Sequence, residues 1–322
     1  MRAVRRYAAR AVRSTVAGAF PFLNPRVPHS HHPLRQALPL FLLGGLCLTA
    51  LDTTAKYLVR DHSLFLVVWA RYAGQMLVVT PFVWHRAGPG FWRTRNPRMQ
   101  LVRSALLLAA TLCFFAALRY LPLAEGSAIT FLAPIFIVVF SQPVLGERPT
   151  RARWIASLAG FAGILVLLRP GSSVLHPAVL LLIGTAVFNA FYQLLTRKLP
   201  GDSAHTTLFY SALVGAVGLT LALPWGFDGA LLTWREGGLL LLLGLFAGVA
   251  HWLLITAFLI APASLLTPFT YLQMIWATLF GYVIFGQLPD GWSAVGMAII
   301  VASGLMLALQ ERRRARMARS FP

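Results

Sequence analysis

Ten apolar stretches, each near the length that crosses a lipid bilayer, occupy most of this sequence: 36–59, 62–84, 99–118, 122–145, 151–168, 176–197, 204–225, 236–259, 262–286 and 291–310. A helix rises about 1.5 Å per residue, so roughly 20 apolar residues cover the hydrocarbon core. Hydrophobic residues make up 58% of the 322 positions and charged ones 11%, against about a quarter charged in a soluble domain, so most of the chain cannot face water. The stretches lack the period-two alternation of a membrane barrel, and helices are the other structure that satisfies its own backbone in lipid. The connections leave no room for a separate soluble domain. The sequence therefore predicts an all-α integral membrane protein.

The formal net charge of +19 would also suit a nucleic-acid surface, but its placement follows the membrane. Seven arginines precede the first span and five follow the last. Arg86, Arg93, Arg95 and Arg98 lie between spans two and three, Arg148, Arg151 and Arg153 between four and five, and Arg197 and Lys198 between six and seven. The alternate connections hold Arg60, Arg119, Arg169 and Arg235. The positive-inside rule puts both termini in the cytoplasm, in agreement with an even number of spans. No nucleic-acid partner is expected. Residues 1–28, basic and free of acids, read either as a tail lying against anionic lipid or as a targeting segment.

Residues 117–149 recur in outline at 257–289. Ala117 answers Ala257, Pro122 answers Pro262, Gly146 answers Gly286 and Pro149 answers Pro289, each 140 positions on; Gly44 and Gly184, and Ala50 and Ala190, keep the same offset. The correspondence has gaps: Pro134 falls opposite Met274, Pro143 opposite Val283 and Glu147 opposite Gln287. Five spans per copy is an odd number, so the second copy enters the membrane upside down. The expected fold is ten transmembrane helices as two inverted five-helix repeats: a basic tail at 1–35, a first repeat at 36–170, a second at 171–310 and a basic tail at 311–322. Many secondary transporters share this architecture, with a substrate site near the midplane between the halves.

Polar residues inside the spans point to such a site. Span one carries Thr49, Asp52, Thr53 and Lys56 at i, i+3, i+4 and i+7, which is one helical face, and span six carries Asn189, Tyr192, Gln193 and Thr196 at the same spacing. In span four, Ser127, Thr130, Phe131 and Pro134 are answered in span nine by Thr267, Thr270, Tyr271 and Met274. Lipid is a poor destination for four such faces. They predict a central cavity lined by spans one, four, six and nine, with helix–helix hydrogen bonding as the other use of the same groups. The candidate substrate-binding residues are Thr49, Asp52, Thr53, Lys56, Arg71, Thr130, Asn189, Tyr192, Gln193, Tyr271, Gln273 and Trp276. Tyr192, Tyr271 and Trp276 offer stacking surfaces.

An ionisable group at a helix centre costs roughly 2.5–3.5 kcal/mol even on the lenient insertion scale, so each one asks for a partner or a purpose. Asp52 and Lys56 stand one turn apart and can pair with each other, and Lys56 can also reach outward. Arg71 has no acid nearby in sequence; it needs Asp52, Glu125 or an anionic ligand, as a fixed ion pair or as a clamp on a carboxylate or phosphate. Asp52, Glu125 and His251 are the candidates for proton coupling. Pro134 should kink span four, as a hinge, as part of the site, or as a plain structural bend. Small-residue pairs in spans five, eight and ten let backbones approach, and spans five and ten read as scaffold or as the contact of a homodimer. Cys47 and Cys113 fall in apolar spans, which suggests packing and neither a disulfide nor a metal site. The sequence lacks GxSxG, HExxH, CxxC, Walker A and strand-borne GxGxxG patterns. The expectation is no enzyme, no cofactor, no metal, and transport drawing on a gradient.

At ARYAGQ (70–75), LRYLPLAEGSAITFLAPIF (118–136), LGERPTRARW (145–154) and GFAGILVLLRPG (160–171), the chain resembles the EamA branch of the drug/metabolite transporter superfamily. The resemblance extends over about residues 37–310 and is looser in the second half, where Gln287 replaces Glu147. It implies ten helices in inverted repeats and a central cavity. It also implies export or uptake of a small polar metabolite without nucleotide hydrolysis; with Arg71 and the polar faces, the expectation is a secondary carrier of a small polar or anionic metabolite working by alternating access, with export favoured. Uptake of a riboflavin-like or nucleoside-like compound is the alternative. The implied location is the inner membrane of a bacterium. Arg71 would take the place of a basic residue of the second helix, and Glu147 that of the Gly-Glu after the fourth, where a role in the fold is implied.

Overall fold

The computed structural model describes residues 33–320 apart from 148, 169–175, 200–201, 228, 230–231 and 262–265. Arg148, Arg169, Pro262 and the arginines before residue 33 lie outside the described residues. All secondary structure among the described residues is helical. Helices α1 (Pro33–Leu58), α2 (Leu64–Ala87) and α3 (Pro97–Leu118) form spans one to three; α4 (Leu123–Thr130) and α5 (Ala133–Leu145) together form span four, and α6 (Arg151–Leu168) span five. The second half follows with α7 (Val179–Arg197), α8 (Ala204–Gly226) and α9 (Trp234–Ile260). A 3₁₀ turn (Thr267–Tyr271) and α10 (Leu272–Phe285) form span nine, and α11 (Gly291–Ser320) span ten. Among the described residues, nine spans are long and apolar enough to cross a membrane unaided, and the tenth, apolar over Phe269–Phe285, is shorter. The face bearing Pro33 and Ser320 is called here the terminal face, and the opposite one the distal face.

Local chemistry sets the ends. Pro97 opens α3 after Asn96, where a missing N–H leaves no bond unmade. Thr233 and Glu236 close a reciprocal capping box on α9. Gly146 ends α5 and Gly286 ends α10 in the left-handed region, at φ 72° and 65°, the conformation that glycine adopts without a Cβ penalty. These two caps stand 140 positions apart and perform the same task. Pro134, in the first turn of α5, lacks an N–H for the Thr130 carbonyl, and the helix breaks between Thr130 and Ala133. Its counterpart Met274 imposes no such break, and the second copy tightens instead into the 3₁₀ turn just before it.

Packing repeats the symmetry. Helix α1 lies along α9 as α3 lies along α7; α2 meets α9 as α3 meets α8; α4 and α5 meet α7 as α10 meets α1. Three further contacts, α2 with α8, α6 with α11 and α4 with α10, set copy against copy. Exchanging the halves reproduces the pattern, as a two-fold axis in the membrane plane requires. Close approaches depend on small residues: a Cβ on Gly244 of α9 would stand 2.5 Å from the Cα of Gly74 on α2, and one on Gly296 of α11 would stand 2.6 Å from the Gly163 oxygen of α6.

Polar joints tie the two copies at each face. At the terminal face, Asp202 accepts from Thr94 Oγ1 at 2.5 Å, Gln100 Nε2 at 3.0 Å and the Arg95 amide at 3.3 Å. Burial pushes the Asp202 carboxyl up, but these bonds outweigh it and hold the group below the usual carboxylate range. At the distal face, His62 Nε2 lies 3.0 Å from Glu236 Oε1. Positions 62 and 202 correspond, so the same joint is built twice with different chemistry. Lys56 closes the distal end of the first copy, with Nζ donating to the Leu118 and Leu121 carbonyls at 2.8 and 2.5 Å.

Replacing Gly244 by Leu should force α2 and α9 apart and cost about 1–3 kcal/mol, as overpacking generally does. Thermal unfolding of the detergent-purified protein checks this, with Gly237→Ala as the control because nothing lies within 4 Å of its Cβ position. Equal midpoints for the two variants would refute the close contact.

Candidate functional site

A cavity of about 460 Å³ lies between the two halves. Its wall takes Thr49 and Asp52 from α1, Arg71 from α2, and Leu107, Ala110, Thr111, Phe114 and Phe115 from α3. Ser127, Thr130, Phe131, Ala133 and Pro134 come from span four, Thr185, Asn189 and Gln193 from α7, and Thr270, Tyr271 and Gln273 from span nine. The two interrupted spans thus meet at the cavity. Phe131 sits in the break of one and Tyr271 at the end of the 3₁₀ turn of the other, and their rings stack at 5.0 Å with 23° between planes. These two residues are the same position in the two copies, facing each other across the axis.

Arg71 is the cation of this wall. It is 8% exposed, donates from Nη1 to Thr111 Oγ1 at 3.1 Å, and lies over the Tyr72 ring at 4.6 Å. Its Nε has no hydrogen-bond partner among the described residues. Asp52 faces the same space within electrostatic reach of Arg71. The remaining polar groups are hydroxyls and amides. Several hydroxyls donate to their own helix, Thr49 to the Gly45 carbonyl at 3.1 Å and Thr130 to that of Ser127 at 2.7 Å, and so present acceptor lone pairs inward. Gln193 donates to Asn189 Oδ1 at 3.3 Å, leaving amide donors and acceptors for a solute.

Of the candidate residues, Thr49, Asp52, Arg71, Thr130, Asn189, Gln193, Tyr271 and Gln273 stand around the cavity. Thr53 is buried and donates to the Thr49 carbonyl at 2.7 Å, while Lys56 is spent on the α3–α4 turn. Tyr192 turns toward α3 and lies under Arg103, and Trp276 is outside the cavity wall. Glu125 accepts from Ser293 Oγ at 2.9 Å, joining α4 to α11 away from the cavity. His251 bonds the Ala247 carbonyl through Nδ1 at 2.7 Å, within electrostatic reach of Arg71 but outside the cavity wall. The side chain of Thr267 is outside the described residues.

The contribution of α3 was not legible in the sequence. Thr111 stands alone in the apolar stretch 105–118 of α3, without a stripe to announce it, whereas Thr185 lies one turn before Asn189 on the polar face of α7. Thr185 Oγ1 also reaches the Ala110 carbonyl at 3.3 Å, so the pair both binds α7 to α3 and lines the cavity. A smaller chamber of about 220 Å³ lies on the terminal side, shares Pro134 and Tyr271 with the central cavity, and is bounded by Arg153 and Arg197.

Known proteins carry the same architecture. A solved crystal structure superposes with a TM-score of 0.64 at 22% identity, covering 87% of this chain and 99% of its own. A riboflavin transporter of Vibrio cholerae is 31% identical over 90% of this chain and 98% of its own length. An S-adenosylmethionine uptake transporter of Rickettsia prowazekii is 29% identical over 85% of this chain and 92% of its own. The pseudopaline exporter CntI of Pseudomonas aeruginosa is 26% identical over 87% and 98%. Residues 35–169 and 176–309 each match the EamA-like transporter family, one match per copy of the repeat. The chain is a multi-pass membrane protein and belongs to the EamA-like transporter family.

Proposed function

We propose that this protein is a secondary-active carrier, without catalytic activity, that moves a small polar or anionic organic metabolite by alternating access, with export as its direction. The observation that carries this reading is Arg71 in the wall of a central polar cavity, buried and with Nε unpartnered among the described residues. A guanidinium so placed suits a carboxylate or phosphate, and the hydroxyls and amides around it suit a polar body. The named relatives include both uptake carriers and an exporter. They also support the rival reading, uptake of a riboflavin-like or nucleoside-like compound, for which the stacked Phe131 and Tyr271 supply aromatic surface.

The terminal face is the cytoplasmic face of a bacterial inner membrane on this reading, because the arginine-rich connections all lie there. Asp52 is the coupling group for a proton, being the one carboxylate in the cavity wall among the described residues. Exposed apolar side chains such as Ile155 and Leu158 on α6 and Val295 and Met306 on α11 suit lipid or the second subunit of a homodimer.

Cells producing the wild type should enrich one compound in the medium, by metabolite profiling against Arg71→Ala at a matched membrane level. The variant should lose about tenfold or more of that flux, the scale of one charge-assisted hydrogen bond. Depletion from the medium would reverse the direction to uptake, and no difference in any compound would sink the carrier reading. In proteoliposomes, Asp52→Asn should keep solute exchange but lose acceleration by an imposed pH gradient; a wild type indifferent to that gradient would remove the proton. A membrane-impermeant maleimide added outside cells should label Phe227→Cys and spare Arg93→Cys in a background lacking Cys47 and Cys113. The opposite pattern would invert the topology.

A further inference from the structure

Arg103, on α3, is the largest fully buried side chain among the described residues, at 0% exposure. Its Nη2 donates to the Thr207 carbonyl at 2.9 Å and to Ser211 Oγ at 2.6 Å, both on α8. Its guanidinium carbon lies 4.6 Å from the centre of the Tyr192 ring on α7. Nε and Nη1 have no acceptor among the described residues, and neither Gln100 Oε1 nor Ser104 Oγ on the same helix has a partner there either. Asp202, the acid of the neighbouring joint, is engaged by Thr94, Gln100 and the Arg95 amide instead. A cation withdrawn from water without a counter-charge is expensive by several kcal/mol. Inside a membrane such groups mark ion and substrate pathways.

The position is specific. Arg71 bonds Thr111 on α3, and Arg103 precedes Thr111 by eight residues, about 12 Å along the axis at ~1.5 Å per residue. Helix α3 therefore meets the guanidinium of Arg71 on α2 at the cavity wall and carries a second guanidinium of its own about two turns nearer the terminal face. Between them Leu107 and Ala110 line the cavity. Tyr192, whose ring faces the Arg103 guanidinium, is the sequence neighbour of the cavity-lining Gln193. Neither Arg103 nor Tyr192 itself lines that cavity in this state. Nε and Nη1 lie on different edges of the guanidinium plane, so each has an N–H to offer singly to an oxygen of a carboxylate or phosphate.

We infer that Arg103 is a second oxyanion station on the transport path, receiving the carboxylate or phosphate of a solute that leaves Arg71, with the Tyr192 ring as its cover in this state. The assignment deepens the carrier reading and rests on it. The competing account is a permanent scaffold cation fixed between α7 and α8.

Accessibility separates the two. Membrane vesicles containing the full chain would be treated with phenylglyoxal, a guanidine-directed reagent, in chloride, acetate or inorganic phosphate at equal ionic strength, and Arg103 followed by peptide mass spectrometry. The expected result is slow labelling of Arg103, slowed several-fold further by acetate or phosphate while the exposed Arg95 reacts alike in all three. The more protective anion identifies the group that binds. Tyr192→Ala should speed the labelling several-fold, and an unchanged rate would remove the cover. An Arg103 that never reacts while Arg95 reacts fully, or that reacts at a rate neither oxyanion alters, would overturn the station and leave the scaffold. The readout requires no transported compound, so a failure of the carrier reading in metabolite profiling is distinguishable from a failure here.

Discussion

A backbone inside lipid must hydrogen-bond to itself, and the architecture of this protein follows from where that requirement is relaxed. Among the described residues the spanning helices are interrupted at Phe131–Leu132 and in the 3₁₀ turn at Thr267–Tyr271. Both interruptions face the interior, where partners other than lipid exist. They are equivalent positions of the two copies, so the cavity they border lies on the symmetry axis. The cavity is thus a consequence of the repeat as well as of the side chains that line it.

The rest of the molecule holds that space in register. Small residues bring α2 against α9 and α6 against α11 almost backbone to backbone, where dispersion contacts supply attraction that hydrophobicity cannot supply within lipid. Polar joints at Asp202 and His62 fasten the two copies at opposite faces. The six helices α1, α2, α3, α7, α8 and α9 form a continuous packed set, with spans four and nine laid against it.

The spans and the repeat were legible because their signals are local. Apolar length, arginine placement and the glycine pair Gly146 and Gly286 each act within a few residues, and the two glycines adopt the same left-handed conformation. The site was legible by face and not by residue. A helical stripe fixes a direction only within a broad arc, and the neighbours decide which members of the arc reach the cavity. So Asp52 and Gln193 stand at the cavity while Thr53 and Tyr192, next to them in sequence, turn to other helices. Arg103 gave no signal of its own, since an arginine in the first turns of a span next to a basic connection reads as a boundary charge.

The sequence by itself determined that this chain lies in a membrane, how often it crosses, and that its halves are inverted copies. Those properties depend on hydrophobic length and parity, which need no knowledge of neighbours. Tertiary structure alone decided that Lys56 would serve a turn, that α3 would line the cavity through Thr111, and that Arg103 would be buried against Tyr192 with two donors unused. Each of these depends on which helix arrives at a given face, and in a membrane that is settled by close packing of small side chains across the two copies.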